Sequence, residues 1–217
     1  MNYVISVFDT NALPIYEDIC SKLDLPLTII YKGHGTAVKS MLDLLGIESG
    51  EKRIGVTVAD SGKTTELIDM QKTRMFIGVP GHGMTVAVPI KSVGGGKTLA
   101  FLTNDKPVEK KAPDINYDYE LIMVIANQGN TDDVMNAARA AGARGGTVLH
   151  GKGTGVKGGQ KFYNLSIATE KEIVMILART ADKSAIMQSI ITKAGPDTPA
   201  GAIAFSLPTT EIAGFGL

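Results

Sequence analysis

Tryptophan is absent from this 217-residue chain, cysteine occurs once, and aromatic residues make up only 6%. A core with so few large rings must be built mainly from Val, Ile, Leu, Met and Ala. The 44% hydrophobic fraction is enough for one large domain or two small ones. The lone Cys20 excludes an internal disulfide and any thiolate metal cluster, and its helical-looking setting reads as a small packed hydrophobe. Net charge is missing too. The 22 basic residues balance 22 acidic ones, which argues against nucleic acid as a partner. No run approaches about 18 consecutive apolar residues, so no transmembrane segment is expected. The first residues, Met1-Asn2-Tyr3-Val4-Ile5-Ser6-Val7-Phe8, show neither the basic region nor the apolar stretch of a secretion signal, and a cytoplasmic location is expected.

What the chain does hold is 25 glycines and an internal repeat. Gly33-His34-Gly35-Thr36-Ala37-Val38 aligns with Gly151-Lys152-Gly153-Thr154-Gly155-Val156, an offset of 118 residues. Glu51-Lys52-Arg53-Ile54 aligns with Glu170-Lys171-Glu172-Ile173, and Val88-Pro89 with Leu207-Pro208, at nearly the same spacing. Three anchors in one order point to duplication.

Hydrophobic periodicity gives each copy the same element order. Strands are expected at 3–8, 27–31, 54–59 and 85–88, with helices at about 12–23 and 65–75. The second copy repeats this with strands at 121–126, 146–150, 173–178 and 202–207 and helices at 132–141 and 183–193. Residues 98–102 read as an extra strand, and Asp60-Ser61 and Asp182 as helix N-terminal caps. The fold class is therefore α+β: a ferredoxin-like βαββαβ sandwich, duplicated in tandem. The expected domains are residues 1–103 and 118–217, joined by a charged, proline-containing linker at 104–117.

Chemistry concentrates around the glycines. Gly146-Thr147-Val148-Leu149-His150-Gly151-Lys152 has P-loop spacing, but Gly153 stands where magnesium needs Ser or Thr, and residues 147–149 look like a strand. The P-loop reading fails. Gly151, Gly153 and Gly155 instead offer close backbone approach to a ligand, with Lys152 as a cation for phosphate. An equally economical reading makes these glycines the hinge of a loop. His34, His82 and His150 lack an HxxxH or HxH pattern or a carboxylate at ligand spacing, so no metal site is expected. No nucleophile elbow or paired carboxylate motif appears, and no catalytic residue is assigned.

Residues 142–155, followed by Glu170-Lys171-Glu172-Ile173-Val174-Met175-Ile176-Leu177 and then residues 194–207, resemble the PII signal-transduction family. The resemblance covers residues 119–217 and, more faintly through the repeat, 1–103. It implies a regulator and not an enzyme, trimeric packing, and an effector cleft that takes an adenine nucleotide or related molecule. It also implies a target protein met through the 154–169 loop, in which Tyr163 is read as a packing residue beside Phe162. Carried over, Gly151 and Gly153 fall on the glycines before the family's T-loop, and Thr192, Gly195, Gly201 and Ala202 on or near its phosphate-cradling B-loop. The expected effector-binding set is His150, Gly151, Lys152, Gly153, Thr154, Gly155, Gly195 and Gly201, with Lys32, Gly33, His34, Gly35 and Thr36 from the first copy. The sequence departs from the family in two places. Thr154-Gly155 replaces an arginine–glutamine pair, and Ala202 stands where a phosphate-binding lysine is usual, removing charge-assisted bonds to phosphate. Two alternatives differ in class: a CutA-like metal-binding trimer, and a structural module without a ligand.

Overall fold

The computed structural model describes residues 1–36, 50–79, 81–94, 96–105, 113–152, 161–162, 165–166 and 170–214. Alternation decides the first strand: in β1 (Asn2–Asp9), Val4 and Phe8 point into one core while Tyr3, on the other face, is exposed. A short 3-10 turn (Thr10–Ala12) leads into α1 (Leu13–Lys22), whose first turn holds Pro14, where no intrahelical N–H is needed. β2 (Thr28–Gly35) and β3 (Glu51–Ala59) follow. Helix α2 (Ser61–Arg74) is capped by Asp60, which accepts the Lys63 N–H at 2.9 Å. Then come β4 (Gly83–Pro89) and α3 (Gly96–Leu102).

The second run contains β5 (Asn116–Asn127), α4 (Thr131–Ala140), β6 (Thr147–Lys152), β9 (Glu170–Arg179), α5 (Thr180–Ala194) and β10 (Ile203–Thr209). Two short strands, β7 (Lys161–Phe162) and β8 (Leu165–Ser166), pair with each other between β6 and β9, and β11 (Glu211–Ala213) ends the order. Each run reads β-α-β-β-α-β with antiparallel ladders, a mixed, ferredoxin-like arrangement.

The chain condenses into two units that differ from its sequential halves. Unit 1 comprises Met1–Lys32, Glu51–Tyr119 and Pro208–Leu217; unit 2 comprises Gly33–Gly50 and Glu120–Leu207. The exchange has a hydrogen-bonding cause. The end of β2 pairs with β6 (His34↔Val148, Gly35↔Thr147), and β11 pairs with β4 (Glu211↔Ala87, Ile212↔Val86, Ala213↔Thr85).

In unit 1 the strand order is β2-β3-β1-β4-β11. Its core holds Val4, Phe8, Tyr16, Ile19, Leu67 and Ile68, with the Phe8 and Tyr16 rings 4.7 Å apart. The Tyr16 ring fits because residue 55 has no side chain: a Cβ there would lie 2.4 Å from the ring. The buried face of α2 is partly polar, and its groups are paired. Asn2 donates to Thr64 (3.2 Å), Gln71 donates to Ser6 (3.0 Å), and Thr85 donates to Gln71.

In unit 2 the order is β10-β5-β9-β6, continued by the end of β2. Ile122, Val124, Val174 and Ile176 from the strands meet Val134, Met135, Ile186 and Ile190 from α4 and α5. In α4, Val134, Ala137 and Ala138 recur at three- and four-residue spacing and in α5 Ile186 and Ile190 at four, while the strand residues recur at two.

Two expectations need correction, at residues 98–102 and at Asp182. Residues 98–102 form the helix α3 and not a strand; Lys, Leu and Ala favour a helix, and the turn closes locally through the Thr103 N–H to Leu99 O at 3.0 Å. The expected linker at 104–117 is described only towards its two ends. Asn104 donates to the Asp24 carbonyl (2.9 Å) and carboxylate (2.7 Å), and β5 already begins at Asn116. The linker's residues 106–112 lie outside the described residues. Asp182 sits inside the first turn of α5, whose N-cap is Arg179; Asp60 is the cap it was read to be. No helix among the described residues is long and apolar enough to cross a membrane.

Candidate functional site

Of the expected effector residues, His150, Gly151 and Lys152 lie on the β6–β9 ladder of unit 2. Its register pairs His150 with Glu172, Gly151 with Lys171 and Lys152 with Glu170. His150 and Glu172 therefore share the face that also carries Val148 and Val174 into the core. Glu172 is buried, while the His150 side chain is half exposed.

The Glu172 carboxylate is held from three sides. The Gly129 N–H donates to Oε1 at 3.1 Å, the Thr131 hydroxyl donates to Oε2 at 2.6 Å, and His150 Nε2 lies 3.6 Å from Oε1. Thr131 opens α4, so the anion also faces the positive end of that helix. Burial alone would raise the Glu172 pKa. The bonds from Thr131 and Gly129, with the nearby imidazole, outweigh it and hold the carboxyl below its ordinary 4.5. The expectation that no carboxylate accompanies His150 is thus corrected. The partner lies 22 residues away in sequence and directly across the ladder.

From the first copy, His34 stands edge-on to His150 with ring centroids 5.9 Å apart. Thr36 is fully engaged with Gly146. Its N–H and hydroxyl both donate to Gly146 O at 2.9 Å, and its hydroxyl accepts the Gly146 N–H at 2.7 Å. Arg139 also donates to the Thr36 carbonyl. Thr36 therefore fastens the strand pair and has no spare polar group on that side. Gly33 is buried, and Gly35 pairs with Thr147 and donates to Gly50 O at 3.0 Å. Lys32 is exposed and belongs to unit 1.

Gly195 and Gly201 lie in the turn between α5 and β10, with Thr198 between them. The Thr198 N–H and hydroxyl both reach Gly195 O, and the Gly201 N–H reaches Thr198 O. Gly201 has φ of +53°, which disfavours a side chain. Gly195 sits so close to α5 that a Cβ would lie 2.1 Å from Ile191 O. Asn127, at the end of β5, ties this turn down: its N–H donates to Ala200 O (2.8 Å) and its Nδ2 to Pro199 O (2.9 Å). Lys171 in turn donates to Asn127 Oδ1. Sequence reasoning gave neither Asn127 nor Lys171 a role, yet together they join Gly151, opposite Lys171, to the 195–201 turn. Thr192 stays in α5, accepting from Gln188 at 3.3 Å, and Ala202 is buried.

Gly153, Thr154, Gly155 and Tyr163 lie outside the described residues, and of the 154–169 loop only the β7–β8 ladder is described. Among the described residues no group of three or more His, Cys, Asp or Glu is arranged to hold a metal. Two signals could have exposed the Glu172–His150 pair. A hairpin closed by Lys152 and Glu170 puts 150 against 172 by counting alone, and strand alternation puts both on the core face.

Residues 119–213 match the protein family described as nitrogen regulatory protein P-II. Proteins of that family are signal regulators and not enzymes. No curated protein matches the chain. Among solved structures, Arabidopsis thaliana PII bound to citrate is similar at 19% identity and a TM-score of 0.33, over 43% of this chain and 76% of that one. The B. subtilis GlnK–ATP complex is similar at 14% identity and a TM-score of 0.36, over 47% of this chain and all of that one. A Bacillus cereus protein related to NIF3 shows 15% identity and a TM-score of 0.35, over 48% of this chain and 29% of that one.

Proposed function

Residues 119–213 are PII-like, and from that premise we propose that the chain is a tandem PII-like regulator whose unit 2 senses a small effector, an adenine nucleotide first among candidates. The family match carries this reading. The repeat supports its tandem form: β3 opens on the first Glu-Lys anchor at Glu51 and β9 on the second at Glu170. The effector lies near Gly151, Lys171 and the 195–201 turn, which Lys171 reaches through Asn127 within unit 2.

The turn itself, Gly195-Pro196-Asp197-Thr198-Pro199-Ala200-Gly201, carries no cation. Lys171 then provides the positive charge for a phosphate. Effector binding changes partner affinity through the 154–169 loop only if the effector binds one loop state more tightly than the other. Trimeric assembly belongs to the same reading.

Calorimetric titration of the full chain with ATP, ADP, AMP, cyclic dinucleotides and bicarbonate tests the proposal. Saturable binding of one of them, weakened by Lys171→Ala, is expected. Absence of binding for all of them overturns it.

A further inference from the structure

In the repeat, β10 is the counterpart of β4, with Pro208 against Pro89 and Phe205 against Val86. The two strands keep different company. The outer edge of β4 is covered by β11, Ile212 standing opposite Val86, and Val86 is 0% exposed. β10 has β5 as its only ladder partner among the described residues. On it Phe205 is 42% and Ile203 50% exposed. The strand Ile203–Thr209 has no charged residue. Residues 203–207 of this edge carry no charge and no proline, and their outer side has no ladder partner among the described residues, which makes them a template for another strand.

The chain also carries a fitting donor. β11 begins three residues after Pro208, and the same step after Pro89 reaches residues 92–94. There Ser92-Val93-Gly94-Gly95 stands where the second copy has Glu211-Ile212-Ala213-Gly214. Residues 92–94 belong to no strand, and Ser92 and Gly94 are exposed. Gly214 ends β11 at φ of +81°, and a Cβ there would lie 2.2 Å from Gly83 O. The first copy has the glycine this close approach demands, at position 95.

We propose that residues 92–94 of one copy of this chain add an antiparallel strand to β10 of a second copy. By the β11–β4 register, Val93 stands opposite Phe205, Ser92 opposite Ser206 and Gly94 opposite Ala204. Donor and acceptor are different segments, so the contact is reciprocal in a dimer or closes head to tail into a ring. Val93 then stands beside Phe205 as Ile212 stands beside Val86. This inference rests on the repeat and not on any effector.

Light scattering on the full chain without added ligand reads it directly. A mass at an integral multiple of 22.9 kDa is expected, and a single species at 22.9 kDa overturns the proposal. Val93→Asp and Phe205→Lys, each checked for native circular dichroism, should each release monomer. Placing both in one chain sets opposite charges across every contact and should restore the assembly. Should either variant fail to fold, the other and the double variant still decide. Single variants that keep the wild-type mass, or a double variant that stays monomeric, also overturn it. Because the effector titration uses a different readout, failure of one leaves the other standing.

Discussion

His150 Nε2 lies 3.6 Å from Glu172 Oε1, directly across the β6–β9 ladder, with the carboxylate buried and the imidazole half in water. The arrangement couples an exposed basic group to an anion that also anchors the start of α4 through Gly129 and Thr131.

Glu172→Ala is expected to destabilise the protein by about 1.5–3 kcal/mol, since the Gly129 N–H and the Thr131 hydroxyl both lose their bond to a charged carboxylate. Acid dependence gives a sharper test. The folded-state value of Glu172 is below its ordinary 4.5, so its contribution is full above that pH and fades as pH falls through the lower folded value. Urea unfolding from about pH 6 to about pH 3 should therefore show a smaller loss of stability for Glu172→Gln than for the parent protein. Equal slopes would mean the carboxylate is not held as described.

Thr36→Val keeps the shape of the side chain and removes its hydroxyl. Both hydroxyl bonds to Gly146 disappear, and the Gly146 N–H loses its acceptor on the chain. A cost of about 1–3 kcal/mol is expected, with faster amide exchange at Gly146. Unchanged exchange there would contradict the clasp.

Gly55→Ala drives a methyl into the Tyr16 ring. Overpacking of this kind costs about 1–3 kcal/mol by chemical denaturation. Tyr16→Leu in the same chain should recover part of it, because two residues in contact do not act additively. A neutral Gly55→Ala would show that the ring has room to move.

Lys171→Ala frees Asn127 Oδ1 and loosens the 198–201 turn, whose carbonyls Asn127 holds. Hydrogen exchange at Thr198 and Gly201 should quicken, while Lys171→Arg, which keeps the charge, should preserve effector affinity better than alanine does. A loss of about tenfold in affinity for alanine is the expected scale for one charge-assisted bond.

Much of the architecture was legible because its signals are local. Val4 and Phe8, or Val174 and Ile176, alternate as a one-sided strand must, and Leu67, Ile68 and Gln71 recur as a helix face must. The glycines at 195 and 201 mark a turn whose geometry needs them. Local signals misled at 98–102, where a short apolar run suits helix and strand alike and no alternation separates them. The Glu172–His150 pair went unseen because it is a cross-strand neighbour with no motif in sequence, and Lys171–Asn127 likewise joins two strand ends. The mixing of halves was hidden for the same reason. The pairing of residues 34–35 with 147–148, and of 211–213 with 85–87, is long-range hydrogen bonding that composition does not encode.

That mixing gives the gene an unusual constraint. A cut anywhere in the 104–117 stretch separates two fragments, neither of which contains a whole unit. The first keeps β4 without β11, and the second keeps β6 without the clasp at Thr36. Each fragment holds the strand the other lacks, so neither half is free to be lost, or to drift into an independent protein, without the other.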